Sequence, residues 1–375
     1  MTKPNILITA ATGLTGRAAV TSLLKKGHAV RALAHREDDR SRDLEALGAE
    51  VVFGDFDDFS GLKAALKDIK RAYFCYPITK GLVQATAQFG QAAKDSGVEA
   101  IVNMSQKIAR ADAGSHAAFE HWLAERVLDW TGLAVTHLRP PFFTEWMLML
   151  SPMIRQGQVY APFANGKTAF ITAEDQGRVI ASILEDPSGH QGKTYYLYVP
   201  EELSFQEAVE KVGRSVGKAI SYHLVPSKEH AQNGRGVERP AARASEFLSS
   251  LAARSRALCA FEEHAQNGHA EAASIDGSLT CSAARLCALC AFEAMRANIA
   301  ANSIASGQNN ALSGYGESNR PNGAGQSHIF QHLEAAHQDF EHGLFLGLND
   351  EVEKITGIPP MTVEQFTAAH RTAFV

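Results

Sequence analysis

Between the apolar run Asn5–Thr9 and a stretch carrying Val20, Leu23 and Leu24 at helical spacing lies Ala10-Ala11-Thr12-Gly13-Leu14-Thr15-Gly16. Glycines in such a turn let the backbone approach a phosphate and let the following helix pack closely on the strand. The first amides of that helix lack intrahelical partners and attract an anion. The expected chemistry is capture of a dinucleotide pyrophosphate, with Ala10, Thr12, Gly13, Leu14, Thr15 and Gly16 as contacts. At the end of the second apolar run stand Arg31, His35 and Arg36, with Glu37 and Asp38 only after the turn. An acid at this place suits a free ribose hydroxyl and a cation suits a 2′-phosphate. Arg36 is therefore expected to hold that phosphate, and NADPH is expected over NADH. The plainer alternative is a set of solvated charges beside a loop. Asp55 and Phe56, after the third run, would flank the adenine; as an ordinary loop they need no role.

The elements that must position these residues follow from hydrophobic spacing. Short β-branched runs near 5–9, 28–33, 50–53, 71–76, 100–104 and 134–138 alternate with helical patterns, which predicts a Rossmann-type doubly wound parallel sheet of the α/β class. Such a sheet binds ligands beyond the carboxyl ends of its strands. Loops there are expected to bring Tyr76, Pro77, Ser105 and Pro140 to the cofactor. From Phe142 onward the texture changes to an aromatic run in which Phe142, Phe143 and Trp146 form either the wall of a pocket for a planar substrate or ordinary core. Short runs at Thr168–Ile171 and Thr194–Leu197 read as strands, and Glu174–Leu184 and Phe205–Val216 as helices. The predicted organisation is a dinucleotide-binding domain over 1–141 and a small mixed lobe over 142–226, which resumes over 328–375.

Residues 227–327 differ from both. Glu229-His-Ala-Gln-Asn-Gly234 recurs at Glu263–Gly268, and Ala257-Leu-Cys-Ala-Phe-Glu262 at Ala288–Glu293, with offsets of 34 and 31 residues. A drifting offset and fragmentary matches argue against a helical solenoid. The segment reads as an insertion from a repeat-bearing DNA element, poorly ordered except for helical patterns near 241–262 and 282–301. Of the five cysteines, Cys75 stands apart from Cys259, Cys281, Cys287 and Cys290. Cys287 and Cys290, with Cys281 and His264 or His269, superficially resemble a zinc site, but a second paired motif is missing and no metal is expected. The net charge of −5 gives no reason to expect nucleic acid as a partner. No apolar run approaches the roughly 20 residues needed to cross a bilayer, so no membrane partner and a cytoplasmic location are expected. The expected partner is a small-molecule substrate; a homodimer is left open.

Ile6–Arg17, Gly54-Asp55 and Leu138-Arg139-Pro140 resemble the NmrA-like branch of the atypical short-chain dehydrogenases, and Thr356-Gly357 with Pro359–Phe366 is similar to that family's carboxyl end. The resemblance covers roughly 4–226 and 329–372; Ala10 departs from the glycine usual in the turn. It implies either an NAD(P)H-dependent reductase of quinones, azo compounds or iminium-type intermediates, or a redox sensor that binds the dinucleotide and a protein partner without turnover. Ordinary short-chain dehydrogenases use a tyrosine with a lysine four residues on. Between Ser105 and Gly132 there is no tyrosine, and Lys107 is the sole lysine. His121 falls where relatives often carry a lysine, with Glu125 one turn later. It is the expected donor of a proton or a hydrogen bond to the reduced substrate; a partly buried helix histidine bonded to Glu125 or a backbone carbonyl is the alternative.

Overall fold

The computed structural model describes residues 4–224 and 324–375. The predicted insertion thus lies, up to residue 323, outside the described residues, as do Cys259, Cys281, Cys287, Cys290, His264 and His269.

Strand and helix alternate from the start: β1 (Ile6–Ile8), α1 (Leu14–Lys25), β2 (Val30–Ala34), α2 (Asp39–Ala46), β3 (Glu50–Phe53) and α3 (Phe59–Ala65). Then come β4 (Arg71–Phe74), α4 (Leu82–Asp95), β5 (Ala100–Met104), α5 (His116–Asp129) and β6 (Ala134–Arg139). All of β1 is buried, as a parallel strand covered on both faces requires. Ile6 and Ile8 pack with Ala19, Val20 and Leu23 of α1. Leu7 faces the opposite layer, among Leu62, Phe74, Phe89 and Leu128. Helix α2 opens on a capping box in which Asp38 and Ser41 satisfy each other's backbone amides.

Among the described residues the main sheet has seven parallel strands, in the order β3-β2-β1-β4-β5-β6 and then β8 (Thr194–Tyr196). Strand order reverses at β1, which lies between β2 and β4, so the ligand crevice of a doubly wound sheet opens there. The seventh strand, β8 (Thr194–Tyr196), pairs with β6 in the register Leu138↔Tyr195 and Arg139↔Tyr196. The sequence places this run in the second lobe; it is the outer strand of the main sheet. Helix α8 (Ala173–Glu185) also joins the sheet's layers. A Cβ on its Gly177 would sit 2.4 Å from the Ala18 Cβ, so α8 lies directly against α1. Thr168–Ile171 makes isolated bridges to Leu203 and Phe143 in place of the expected strand.

The second lobe comprises α6 (Trp146–Met149), α7 (Ser151–Arg155), β7 (Gln158–Ala161), α9 (Phe205–Val216) and β9 (Ser221–Leu224). The returning chain adds α10 (Ala324–Glu341), α11 (Glu351–Thr356), α12 (Val363–Ala369) and α13 (Arg371–Phe374). Strands β7 and β9 form a separate parallel pair. Phe142, Trp146, Phe163, Phe205, Phe340, Phe366 and Phe374 share one core. The segment before α12 is tied to α8 by the buried Asp175, which accepts from the Met361 amide at 3.0 Å and the Thr172 hydroxyl at 2.7 Å.

Candidate active site

The turn between β1 and α1 is closed by backbone. Ala10 has φ 47°, the left-handed region that glycine enters more easily. The Gly13 amide donates to the Ala10 carbonyl at 2.9 Å. Helix α1 has no side-chain cap and no acid in its first turn, so its leading amides are open to an external anion. A Cβ on Gly16 would stand 2.3 Å from the Ala10 oxygen, a cradle that only glycine leaves open. Leu14, Thr15 and Gly16 lie in this first turn. The Thr15 hydroxyl, however, is buried and bonded to the Tyr73 hydroxyl at 2.9 Å. Its side chain fixes α1 on β4, which leaves Thr15 only its amide for an anion.

Beyond β2 the Arg36 side chain is 62% exposed, 3.8 Å from Asp38, whose carboxylate Arg40 also holds at 2.6 Å. His35 lies 3.4 Å from Asp55. Asp55 accepts from the Asp57 amide at 3.1 Å, which shapes the loop after β3. Phe56 meets Phe74 edge-on at 5.4 Å and Tyr76 at 5.6 Å. The Pro77 carbonyl accepts from Thr79 at 2.8 Å. Cys75 donates its amide to Thr9 at 3.0 Å, and burial pushes its thiol up to about 11. That thiol is no nucleophile at neutral pH.

On the far side of the crevice β5 and β6 end together. The Ser105 amide donates to Leu138 at 2.8 Å and the Lys107 amide to Pro140 at 2.9 Å. The Ser105 hydroxyl is buried with no partner among the described residues, as expected of a group that meets a ligand or water. Arg139 makes a bidentate pair with the fully buried Glu125, at 2.8 and 2.5 Å, and donates to the Tyr196 hydroxyl at 3.0 Å. The Lys107 ammonium rests on the faces of Tyr196, at 4.7 Å, and Tyr198, at 5.4 Å. Nothing in the spacing of Lys107 marks it as a site residue; only the pairing of β8 with β6 brings those rings to it.

At two places burial favours the plainer of the alternatives left open. His121 is 5% exposed, and desolvation, helped by His332 and His328 on α10, lowers its pKa to about 3. Glu125 opposes that shift, but its oxygens are bonded by Arg139, so the surroundings favour the alternative of a buried helix histidine. Phe142 and Trp146 are buried in the aromatic core, 5.6 Å apart and edge-on, with Phe142 4.6 Å from Phe345. They are core; Phe143 alone of the three stays half-buried.

The buried histidines have a consequence for stability. Burial and His328 hold His332 at about 4, and its Nδ1 lies 2.7 Å from the Ser115 hydroxyl. An unfolded histidine titrates near 6.5. Below that pH the unfolded chain binds protons that the folded one refuses, so stability falls as pH drops from about 6.5 towards the folded values. His121 alone accounts for a loss of about 2 kcal/mol between pH 6.5 and 5. Urea unfolding at the two pH values should show a shallower fall in His121→Gln than in the parent protein. An equal fall would assign the effect to other groups.

The NmrA-like family profile matches residues 2–254. The chain belongs to the NmrA-like family. The NAD(P)H azoreductase of Xenophilus azovorans is 30% identical to this chain over 252 residues, 66% of this chain and 87% of that one. The NADPH-dependent quinone oxidoreductase of Escherichia coli shares the fold with a TM-score of 0.63 at 18% identity, covering 98% of this chain and 99% of that one. The triphenylmethane reductase of Citrobacter sp. gives a TM-score of 0.64 at 17% identity, over 97% of this chain and 99% of that one. The likeness confirms the Rossmann-type family fold. Among the described residues no helix is long and apolar enough to cross a membrane.

Proposed function

We propose that this chain is an NADPH-dependent reductase that transfers hydride to a small planar electrophilic acceptor. The reading rests on one observation above the rest: the acid-free, uncapped start of α1, closed over Ala10 by glycines. Amides of Gly13, Leu14, Thr15 and Gly16 would hold the pyrophosphate, Arg36 the 2′-phosphate, and Ser105 a polar group at the nicotinamide end. The dihydronicotinamide supplies a hydride, which suits quinone, azo or iminium acceptors that are electrophilic already and need mainly to be positioned. The azoreductase relative supports this class.

The test is oxidation of NADPH followed at 340 nm with quinones, azo dyes and an iminium acceptor. Arg36→Ala should weaken NADPH about 10- to 100-fold, the value of one charge-assisted phosphate contact, and leave NADH nearly unchanged. Tight NADPH binding without turnover of any acceptor would instead favour a dinucleotide sensor acting through a protein partner. That second reading draws on the burial of Phe142 and Trp146, which fill space an acceptor pocket was expected to use.

A further inference from the structure

Lys107 is unusual among the basic side chains near the crevice. Arg139 is neutralised by Glu125, whereas Lys107 makes no ion pair with any described carboxylate. Its ammonium is held by two aromatic faces, Tyr196 and Tyr198, whose rings are 6.0 Å apart and nearly parallel. Both are anchored from elsewhere. Tyr196 accepts from Arg139 through its hydroxyl and from Asn349 through its carbonyl at 2.8 Å. Tyr198 packs against Gly347, where a Cβ would come within 2.3 Å of its ring. The lysine backbone is fixed by Pro140 at the joint exit of β5 and β6. A cation held by ring quadrupoles keeps its proton but lacks a neutralising anion. It therefore stands ready for one from outside.

We propose that Lys107 is the proton donor to the reduced acceptor, and that it selects acceptors left anionic by hydride addition, quinones and azo compounds, over cationic iminium types. The proposal rests on the reductase reading above. When hydride adds to a quinone or azo acceptor, the π pair moves onto oxygen or nitrogen and leaves an anion, while the dinucleotide is oxidised. The Nζ–H bond of Lys107 breaks and an O–H or N–H bond forms on the acceptor. The half-buried lysine, now a neutral amine, regains its proton from solvent. Desolvation, followed by repulsion from Arg139, holds the Lys107 pKa below the usual lysine value, which eases the donation. The Ser105 hydroxyl, without a partner among the described residues, lies two residues earlier on the same strand exit and offers a second donor to the anion. An iminium acceptor becomes neutral on hydride addition, needs no acid, and is repelled by the same cation.

Lys107→Met and Lys107→Arg in the full chain test this. With a quinone, Lys107→Met should lower kcat at least 30-fold and abolish the alkaline fall in rate that tracks loss of the lysine proton. With a cationic iminium acceptor its rate should change less than twofold or rise. Lys107→Arg should keep the charge and move the alkaline limb upward. A second readout needs no turnover: 4-nitrophenol bound to the protein with NADP⁺ should ionise at lower pH in the parent and in Lys107→Arg than in Lys107→Met, read from phenolate absorbance. Equal losses with both acceptor classes, or no loss with the quinone, would overturn the role of Lys107. Absence of turnover by the parent with every acceptor would overturn the reductase reading instead.

Discussion

Gly16→Ala is expected to cost about 1–3 kcal/mol of stability and to reduce NADPH affinity at least 100-fold. The added methyl would stand 2.3 Å from the Ala10 oxygen, 2.8 Å from its carbonyl carbon and 3.0 Å from the Ala11 Cα. All three are backbone atoms, so no side chain can swing aside. Helix α1 cannot retreat either, because α8 lies against its other side at Gly177 and Ala18. The turn must open, and the amides that face a phosphate move with it. Gly13→Ala is milder, since its methyl would sit 3.2 Å from the same oxygen. Fluorescence titration with NADPH and thermal unfolding of both variants check the order. A Gly16→Ala protein that binds NADPH within threefold of the parent would show that this turn is not the pyrophosphate site.

The same turn marks what could be read from the chain alone. Two glycines between an apolar run and a helical pattern are local features, and local features survive in sequence. So the first six strands and their helices fall close to where hydrophobic spacing puts them. The misplaced elements depend on distant partners. Thr194–Tyr196 is three residues long, too short for a period, and only its pairing with β6 makes it part of the main sheet. Gly177 looks like a helix weakness until Ala18 is found against it. His121 has the position of a site residue but is covered by His328 and His332, which return more than two hundred residues later. Lys107 was visible as the sole lysine of its stretch, yet its surroundings come from β8.

Glu125 is the residue through which these distant partners act together. It is fully buried, and both its oxygens are bound by Arg139, whose own charge is stabilised by that carboxylate against the cost of burial. Removing one member of such a pair strands the other's charge, which costs about 3–5 kcal/mol, whereas replacing both with apolar groups can be nearly neutral. Glu125→Ala should therefore lower stability by about 3–5 kcal/mol in urea unfolding. The Glu125→Leu/Arg139→Met double variant should be more stable than either single change, and additive losses would rule out this account of the pair. Arg139 also donates to the Tyr196 hydroxyl, and Tyr196 carries the Lys107 ammonium. The double variant can thus recover its fold while leaving the Tyr196 hydroxyl without its anchor, the Asn349 bond to the carbonyl remaining. Its stability and its quinone reduction should part company: near-parental unfolding, but a rate that falls in the direction of Lys107→Met. That separation would place the Glu125–Arg139 pair in the support of the site, since a purely structural pair would restore both together.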